Sequence, residues 1–179
     1  MSYPQDPWLD PVAIVNWAID TGIFDIAYST WGWPIVEIVH FTGLCLLIGT
    51  VGVVDLRILG GLRGIALPSL HRLIPFGVLG FALNVMSGTI FVATSPDQYL
   101  YNPAFQVKMA AIALAGLNMA GFYLFAAKGL RDLKPMEAAP LAAKIFAAIS
   151  LSSWLLVIAA GRVITAFRPP AWFWCSWCS

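Results

Sequence analysis

Four ionisable side chains interrupt stretches of sequence that otherwise carry almost no charge. Glu37 and His40 stand three residues apart, a spacing that puts both on one face of a helix. Lys108 and Arg162 lie in two later apolar stretches. At about 1.5 Å per residue, all four come within roughly 10 Å of the same end of their helices. If these stretches cross a membrane, the four side chains predict a functional site, because ionisable groups are costly in lipid.

These residue types have the chemistry of a pocket for an anionic, metal-containing cofactor. His40 is a natural metal ligand, and Lys108 and Arg162 would suit the propionates of a haem or the oxygens of a quinone. Glu37 would hold the imidazole or relay a proton. The alternative is a structural ion-pair layer, in which the two cations reach outward and Glu37 neutralises one of them.

Two glycines and a second histidine extend this hypothesis. Gly88 and Gly161 fall near the depth of His40, where missing side chains would let a flat macrocycle approach the backbone, although glycine is also common in helix packing. His71 stands beside Arg72 about 25 Å away in depth, so the two histidines cannot ligate one iron within one chain. His71 is either a solvated interfacial residue or part of a second, inner site completed by another subunit.

The three cysteines fall into two groups. Cys175 and Cys178 form a Cys-Ser-Trp-Cys motif at the end of the chain, followed by Ser179 where covalent c-type haem attachment needs a histidine. The pair predicts either a disulfide loop in an oxidising compartment or a thiolate site for Cu(I). Cys45 lies in the middle of an apolar stretch and is interpreted as a packing residue.

Composition indicates which elements carry these residues. Of 179 residues 60% are hydrophobic and 11% charged, the formal net charge is +1 and the mean hydropathy is +0.81. These values exclude a water-soluble enzyme and a nucleic-acid-binding protein. Four stretches are long and apolar enough to span a bilayer as helices. The predicted fold is an all-α polytopic four-helix bundle with spans at Pro34–Leu59, Leu73–Thr94, Phe105–Ala127 and Ala142–Phe167.

Charge asymmetry predicts the orientation. The turns inside the two hairpins hold seven of the ten Lys and Arg residues, namely Arg57, Arg63, Arg72, Lys128, Arg131, Lys134 and Lys144. The positive-inside rule makes this side cytoplasmic and both termini periplasmic, in a bacterial inner membrane. We expect residues 1–33 to form an aromatic, interfacial segment with two short helices between Asp10 and Ser29. Residues 34–167 are predicted to form the transmembrane domain, and residues 168–179 a periplasmic tail that contains aromatic residues and cysteines.

The two hairpins also share a spacing. Gly88 precedes Pro96 by eight residues and Gly161 precedes Pro169 by eight, while His71 and Lys144 each stand 17 residues before these glycines. Both hairpins run out, in and out again, so the spacing indicates a parallel repeat of two helices.

Short motifs in three spans resemble small haem-b membrane proteins of the copper-resistance protein D type and the HemJ-type protoporphyrinogen oxidases. The motifs are Trp33-Pro34, Glu37, His40, Gly43, Gly49, Asp55-Leu56-Arg57, Pro75-Phe76, Phe105-x-x-Lys108 and Asn118, and they are most similar to an uncharacterised bacterial four-span family related to both. The resemblance implies that His40 is an axial haem ligand and Lys108 a pocket residue. Glu37 stands where those oxidases tend to carry a basic residue, which disfavours protoporphyrinogen oxidation.

The leading functional hypothesis is a haem-b membrane subunit that transfers electrons between a periplasmic redox partner and the quinone pool. Met86, Met109 or a partner's histidine would supply a second iron ligand. One alternative is copper handling through the C-terminal Cys-x-x-Cys motif. A quinone-linked thiol oxidase ranks last, because it needs a second cysteine pair. A non-catalytic anchor in a larger membrane complex or homo-oligomer is also compatible with haem binding.

Overall fold

The computed structural model describes residues 10–130 and 133–167, and this part of the chain contains helices and no strands. Its α-helices are α1 (Pro11–Asp20), α2 (Ile23–Tyr28), α3 (Gly32–Leu59), α4 (Leu67–His71), α5 (Ile74–Thr94), α6 (Pro96–Tyr99), α7 (Pro103–Gly121) and α8 (Leu141–Val163). A π-helical turn (Phe122–Ala126) and a 3₁₀ turn (Ala127–Leu130) follow α7, and another 3₁₀ turn (Ile164–Phe167) follows α8.

The predicted all-α, four-span architecture is confirmed. Four helical segments are long and apolar enough to cross a membrane, at Gly32–Leu59, Leu67–Thr94, Pro103–Phe125 and Leu141–Phe167. The chain is therefore a multi-pass helical membrane protein. Residues 168–179, which include Cys175 and Cys178, lie outside the described residues, as does Arg131.

The two predicted short helices before the first span are present. The Asp10 carboxylate accepts a hydrogen bond from the Val12 amide at 2.9 Å and caps α1, with Pro11 in the first turn. Gly22 separates α1 from α2 with a φ of 73°, a conformation that glycine adopts without strain. The Tyr28 hydroxyl and the Ser95 hydroxyl are 3.0 Å apart, which ties α2 to the end of α5.

The spans are ordered by their packing as α5, α3, α8 and α7. α3 packs on both α5 and α8, α7 packs on α8, and α5 and α7 make little direct contact. The α3–α5 pair is closest at Gly43 and Gly80, where a Cβ atom at Gly80 would lie 2.5 Å from the Gly43 carbonyl oxygen. In the other pair, Asn118 donates to the Phe146 carbonyl at 3.0 Å. Each hairpin is thus a tightly joined unit, with a groove between α5 and α7.

The loops inside the two hairpins meet at one end of the bundle around Arg57. Arg57 was predicted to be a loop cation, but it belongs to α3 and its side chain is fully buried. Its guanidinium donates to the carbonyl oxygens of Ile65 at 2.6 Å, Lys134 at 3.2 Å and Glu137 at 3.4 Å. The guanidinium can be buried because three carbonyl oxygens accept its hydrogen bonds.

The opposite end of the bundle holds the N-terminal helices, the α5–α7 connection and the end of α8. There the Asn102 side chain caps α7 by accepting from Ala104 at 3.0 Å and donates to the Ile164 carbonyl at 3.0 Å. Both hairpins therefore start and finish at this end, which is the two-sided arrangement that the sequence predicted for the four spans.

Candidate functional site

His40 lies on α3, and its imidazole is held from α5. Its Nδ1 is 2.8 Å from the Ser87 hydroxyl oxygen, while that hydroxyl donates to the Leu83 carbonyl at 2.6 Å. A hydroxyl has one hydrogen to donate, so Ser87 accepts from Nδ1–H of His40. This leaves Nε2 as the ring nitrogen with a free lone pair, the form in which an imidazole ligates a metal.

Aromatic rings and a glycine surround this half-buried imidazole. The Phe91 ring packs edge-on against it with 5.5 Å between centroids, and Trp33 packs on Phe91 at 5.0 Å. A Cβ atom at Gly88 would lie 4.0 Å from Cε1 of His40 and would meet nothing closer. The predicted open space beside the imidazole at Gly88 is therefore present.

Lys108 reaches the same region from α7. Its Nζ lies 3.7 Å from the position that a Cβ atom would take at Gly161 on α8. Its charge is close enough to act electrostatically on His40. The structure thus brings together four residues of the predicted site, namely His40, Gly88, Lys108 and Gly161.

Glu37 and Arg162 are placed differently from the prediction. Both side chains are exposed, and Glu37 accepts a hydrogen bond from the Trp33 indole at 3.2 Å instead of holding His40. Within residues 10–130 and 133–167, neither Lys108 nor Arg162 forms an ion pair with Glu37, so the ion-pair layer is absent from this part of the molecule. Sequence reasoning missed Ser87, which takes the orienting role that was predicted for Glu37.

The spacing shared by the two hairpins is repeated in their packing. When the two hairpins are aligned, Lys108 corresponds to His40, 68 positions later, and Gly161 corresponds to Gly88, 73 positions later. The first of these offsets also superimposes buried positions of α3 on buried positions of α7, namely Val36 on Ala104, Gly43 on Ala111, Leu47 on Ala115 and Thr50 on Asn118. His40 therefore faces Gly88 in one hairpin as Lys108 faces Gly161 in the other.

A second candidate site lies between the hairpins, in the half of the bundle nearer to Arg57. A cavity of about 400 Å³ lies there, lined mainly by apolar side chains. Its polar lining residues are Thr50, Asp55, His71, Asn118, Tyr123 and Ser150. Asp55 is 6% exposed, and its Oδ2 has no hydrogen-bond partner. Asp55 was not predicted as a site residue. It is the single aspartate within the four predicted spans, and an acidic residue within a span could have indicated a site.

His71 lies at the edge of this cavity. It ends α4, is exposed to the surroundings and lines the cavity with Asp55. Met86 and Met109, the predicted candidates for a second iron ligand, are 63% and 47% exposed. The described part of the chain contains no group of three or more His, Cys, Asp or Glu residues placed to hold a metal ion. The His40 site lies at the end of the bundle that is predicted to be periplasmic, and we call it the outer site. It offers a single imidazole ligand from the described residues.

Protein-family models, curated proteins and solved structures gave no match to this chain. The functional interpretation rests on the two sites and on their residues.

Proposed function

We propose that this protein is a haem-b-binding integral membrane subunit that transfers electrons between a periplasmic partner and the quinone pool. The observation that carries the proposal is the hydrogen bond from Nδ1 of His40 to Ser87, which leaves Nε2 free. Histidines that ligate metals characteristically donate their other ring N–H to a fixed acceptor, which orients the ring and raises the basicity of the ligand.

The remaining residues of the outer site fit a haem in chemical type. Lys108 supplies a positive charge for a propionate carboxylate, and Gly88 keeps space open beside the imidazole. Phe91 offers an apolar aromatic wall. Bound haem would supply reversible one-electron exchange, at a potential set by the ligand, burial and nearby charge. His40 would bind the iron, Ser87 would orient the imidazole, and Lys108 would balance the charge.

The periplasmic side of the proposal rests on charge and aromatic residues. Lys and Arg are concentrated in the two loops around Arg57, which favours a cytoplasmic location for that end. The opposite end presents Trp17 at 50% exposure and Trp31 at 72% exposure. In this orientation the two rings would lie at the level of the lipid headgroups, and they would also serve as a docking surface for a redox partner. Arg162, exposed near this end, would contact the partner or a quinone oxygen.

The test is a reduced-minus-oxidised visible spectrum of the purified protein, with pyridine haemochrome quantitation. We expect a b-type spectrum from the wild type and loss of the Soret band in His40→Ala, because that change removes the iron ligand. The matched control is His71→Ala, which should keep the band since His71 lies at the other end of the bundle. A colourless wild-type protein, or a His40→Ala variant with an unchanged band, would contradict the proposal.

A further inference from the structure

The cavity between the two hairpins, in the half of the bundle nearer to Arg57, contains a carboxyl oxygen without a hydrogen-bond partner. Asp55 is 94% buried, as its 6% exposure shows, and its Oδ2 has no hydrogen-bond partner. Ser150 of α8 lines the same cavity as Asp55. Because buried polar atoms are normally hydrogen-bonded, this oxygen is available to accept a hydrogen bond from a group outside the chain.

The lining of the cavity favours a positively charged group in that role. Asp55 lines the cavity and no Lys or Arg does so, while His71 lies exposed at its edge. Aromatic rings form much of the wall, contributed by Phe81, Phe122, Tyr123, Phe146 and Trp154. Aromatic faces attract cations through their quadrupole. The aromatic walls and the carboxylate therefore both favour a positively charged ligand.

The cavity is reached from the side of the bundle. Val78 of α5 and Met119 of α7 both line it, yet they are 64% and 59% exposed. Gly116 of α7 also lines it, and a Cβ atom there would meet nothing within 4 Å. Because α5 and α7 make little contact, the opening faces the acyl chains of a bilayer, so a ligand that partitions into lipid can enter.

We propose that this cavity binds a lipophilic monovalent organic cation, an ammonium group on an apolar body. The ammonium donates a hydrogen bond to Oδ2 of Asp55, and the apolar body lies among the aromatic side chains. A volume of about 400 Å³ falls within the range of about 300–1,000 Å³ that is typical of small-molecule sites. The proposal uses no residue of the outer site and does not depend on haem binding.

The test compares three probes that share one apolar body, with the full-length protein in lipid nanodiscs. The probes are 4-phenylbutylamine, 4-phenylbutanol and 4-phenylbutyrate, measured by isothermal titration calorimetry against empty nanodiscs. We expect the amine to bind at least about tenfold more tightly than the alcohol, because it alone carries a charge opposite to that of Asp55. The carboxylate probe should show no specific binding. Equal binding of the amine and the alcohol would overturn the proposal.

Two substitutions test the placement of the ligand. Asp55→Asn keeps the shape of the side chain and should abolish the preference for the amine, whereas Asp97→Asn, at the other end of the bundle on α6, should preserve it. Gly116→Leu fills the cavity and should weaken both the amine and the alcohol. Gly49→Leu is its control, since a Cβ atom there also meets nothing within 4 Å and Gly49 does not line the cavity.

A fourth probe separates the proposed cation from an uncharged acceptor. A short-chain benzoquinone has carbonyl oxygens and no positive charge, so it should compete with the amine weakly or not at all. Tight competition by the quinone, lost in Asp55→Asn, would overturn the proposal and assign the cavity to a quinone. If Asp55→Asn does not fold, the wild-type probe series and Gly116→Leu still decide the outcome.

Discussion

At the scale of single residues, the half-buried His40 and the buried Asp55 show opposite hydrogen-bonding states. The imidazole of His40 has its Nδ1 partner in Ser87, whereas the carboxylate of Asp55 has an oxygen with none. The first arrangement holds the ring with its Nε2 free, and the second leaves an acceptor without a donor.

The orienting role of Ser87 leads to a prediction about haem affinity. Ser87→Ala removes the acceptor for Nδ1–H, so we expect haem to bind about 10- to 100-fold more weakly, with the protein still folded. The measurement is haem transfer to apomyoglobin, followed by absorbance. Ser153→Ala is the control, because Ser153 is also buried and donates back to its own helix, at 2.8 Å to Ile149. Equal rates of haem transfer from the two variants would show that Ser87 does not orient His40 for haem binding.

Depth along each helix could be predicted from the sequence, but rotation about the helix axis could not. His40, Gly88, Lys108 and Gly161 were found because counting residues along a span gives the depth of each one. Arg162 has the correct depth but faces outward, since depth alone does not specify which face of α8 meets α7. Ser87 was missed for the same reason, as its contact with His40 depends on how α3 and α5 are turned toward each other.

At the scale of elements, glycine contacts decide how closely α3 and α5 approach. The backbones meet at Gly43 and Gly80, where a Cβ atom at Gly43 would lie 2.8 Å from the Gly80 carbonyl oxygen. This approach fixes the pairing that places Ser87 against His40. Tight packing of this hairpin therefore supports the geometry of the outer site.

A pair of glycine substitutions separates packing from helix propensity. Alanine is favoured over glycine by about 1 kcal/mol within a helix, so Gly49→Ala should leave thermal stability unchanged or raise it. Gly80→Ala should lower the unfolding free energy by about 2 kcal/mol, because its Cβ forces α3 and α5 apart. Thermal unfolding in detergent measures both. An equal melting temperature for the two variants would show that the close approach is not required.

Most boundaries of the spans followed from composition, and the exceptions have a tertiary origin. The first span was predicted to begin at Pro34 and begins at Gly32, because a proline is tolerated throughout the first helical turn. The short helix α4 was not predicted. Its buried Leu67 and Leu70 pack in a hydrophobic cluster with Ile58, Leu130 and Leu133. No local sequence signal specifies these contacts.

At the scale of the whole molecule, the two ends of the bundle differ in how they are held. One end joins the two hairpins through the Arg57 guanidinium, whereas at the other end Asn102 ties the start of α7 to the turn after α8 within the second hairpin. The two candidate sites lie between these ends, the His40 site in one half and the Asp55 cavity in the other. The membrane topology determines which solution each site communicates with.

The topology leads to a labelling prediction. In a chain with Cys45, Cys175 and Cys178 replaced by serine, Asp20→Cys should react with a membrane-impermeant maleimide from the periplasmic side. Ala138→Cys lies in the loop near Arg57 and should react from the cytoplasmic side alone. Both positions are exposed, so inverted vesicles should reverse the pattern. Labelling of both cysteines from one side would contradict the four-span topology.

The joining role of Arg57 leads to a prediction about stability. Arg57→Met keeps an apolar stem but leaves the Ile65, Lys134 and Glu137 carbonyls without their donor, which we expect to cost about 3 kcal/mol. Thermal unfolding in detergent should show a lowered transition. The exposed Arg72 provides the control, and Arg72→Met should unfold close to the wild-type temperature. An equal decrease in the unfolding temperature of both variants would show that Arg57 does not join the two hairpins.

The buried guanidinium also sets an order for synthesis in the cell. Lys134 and Glu137 follow Arg57 by 77 and 80 residues, so the ribosome completes two further spans before these acceptors exist. Until then the nascent first hairpin carries a cation with one of its three carbonyl partners, and hydration must satisfy the rest. The first hairpin therefore gains two of its three Arg57 contacts only after the third span has been synthesised.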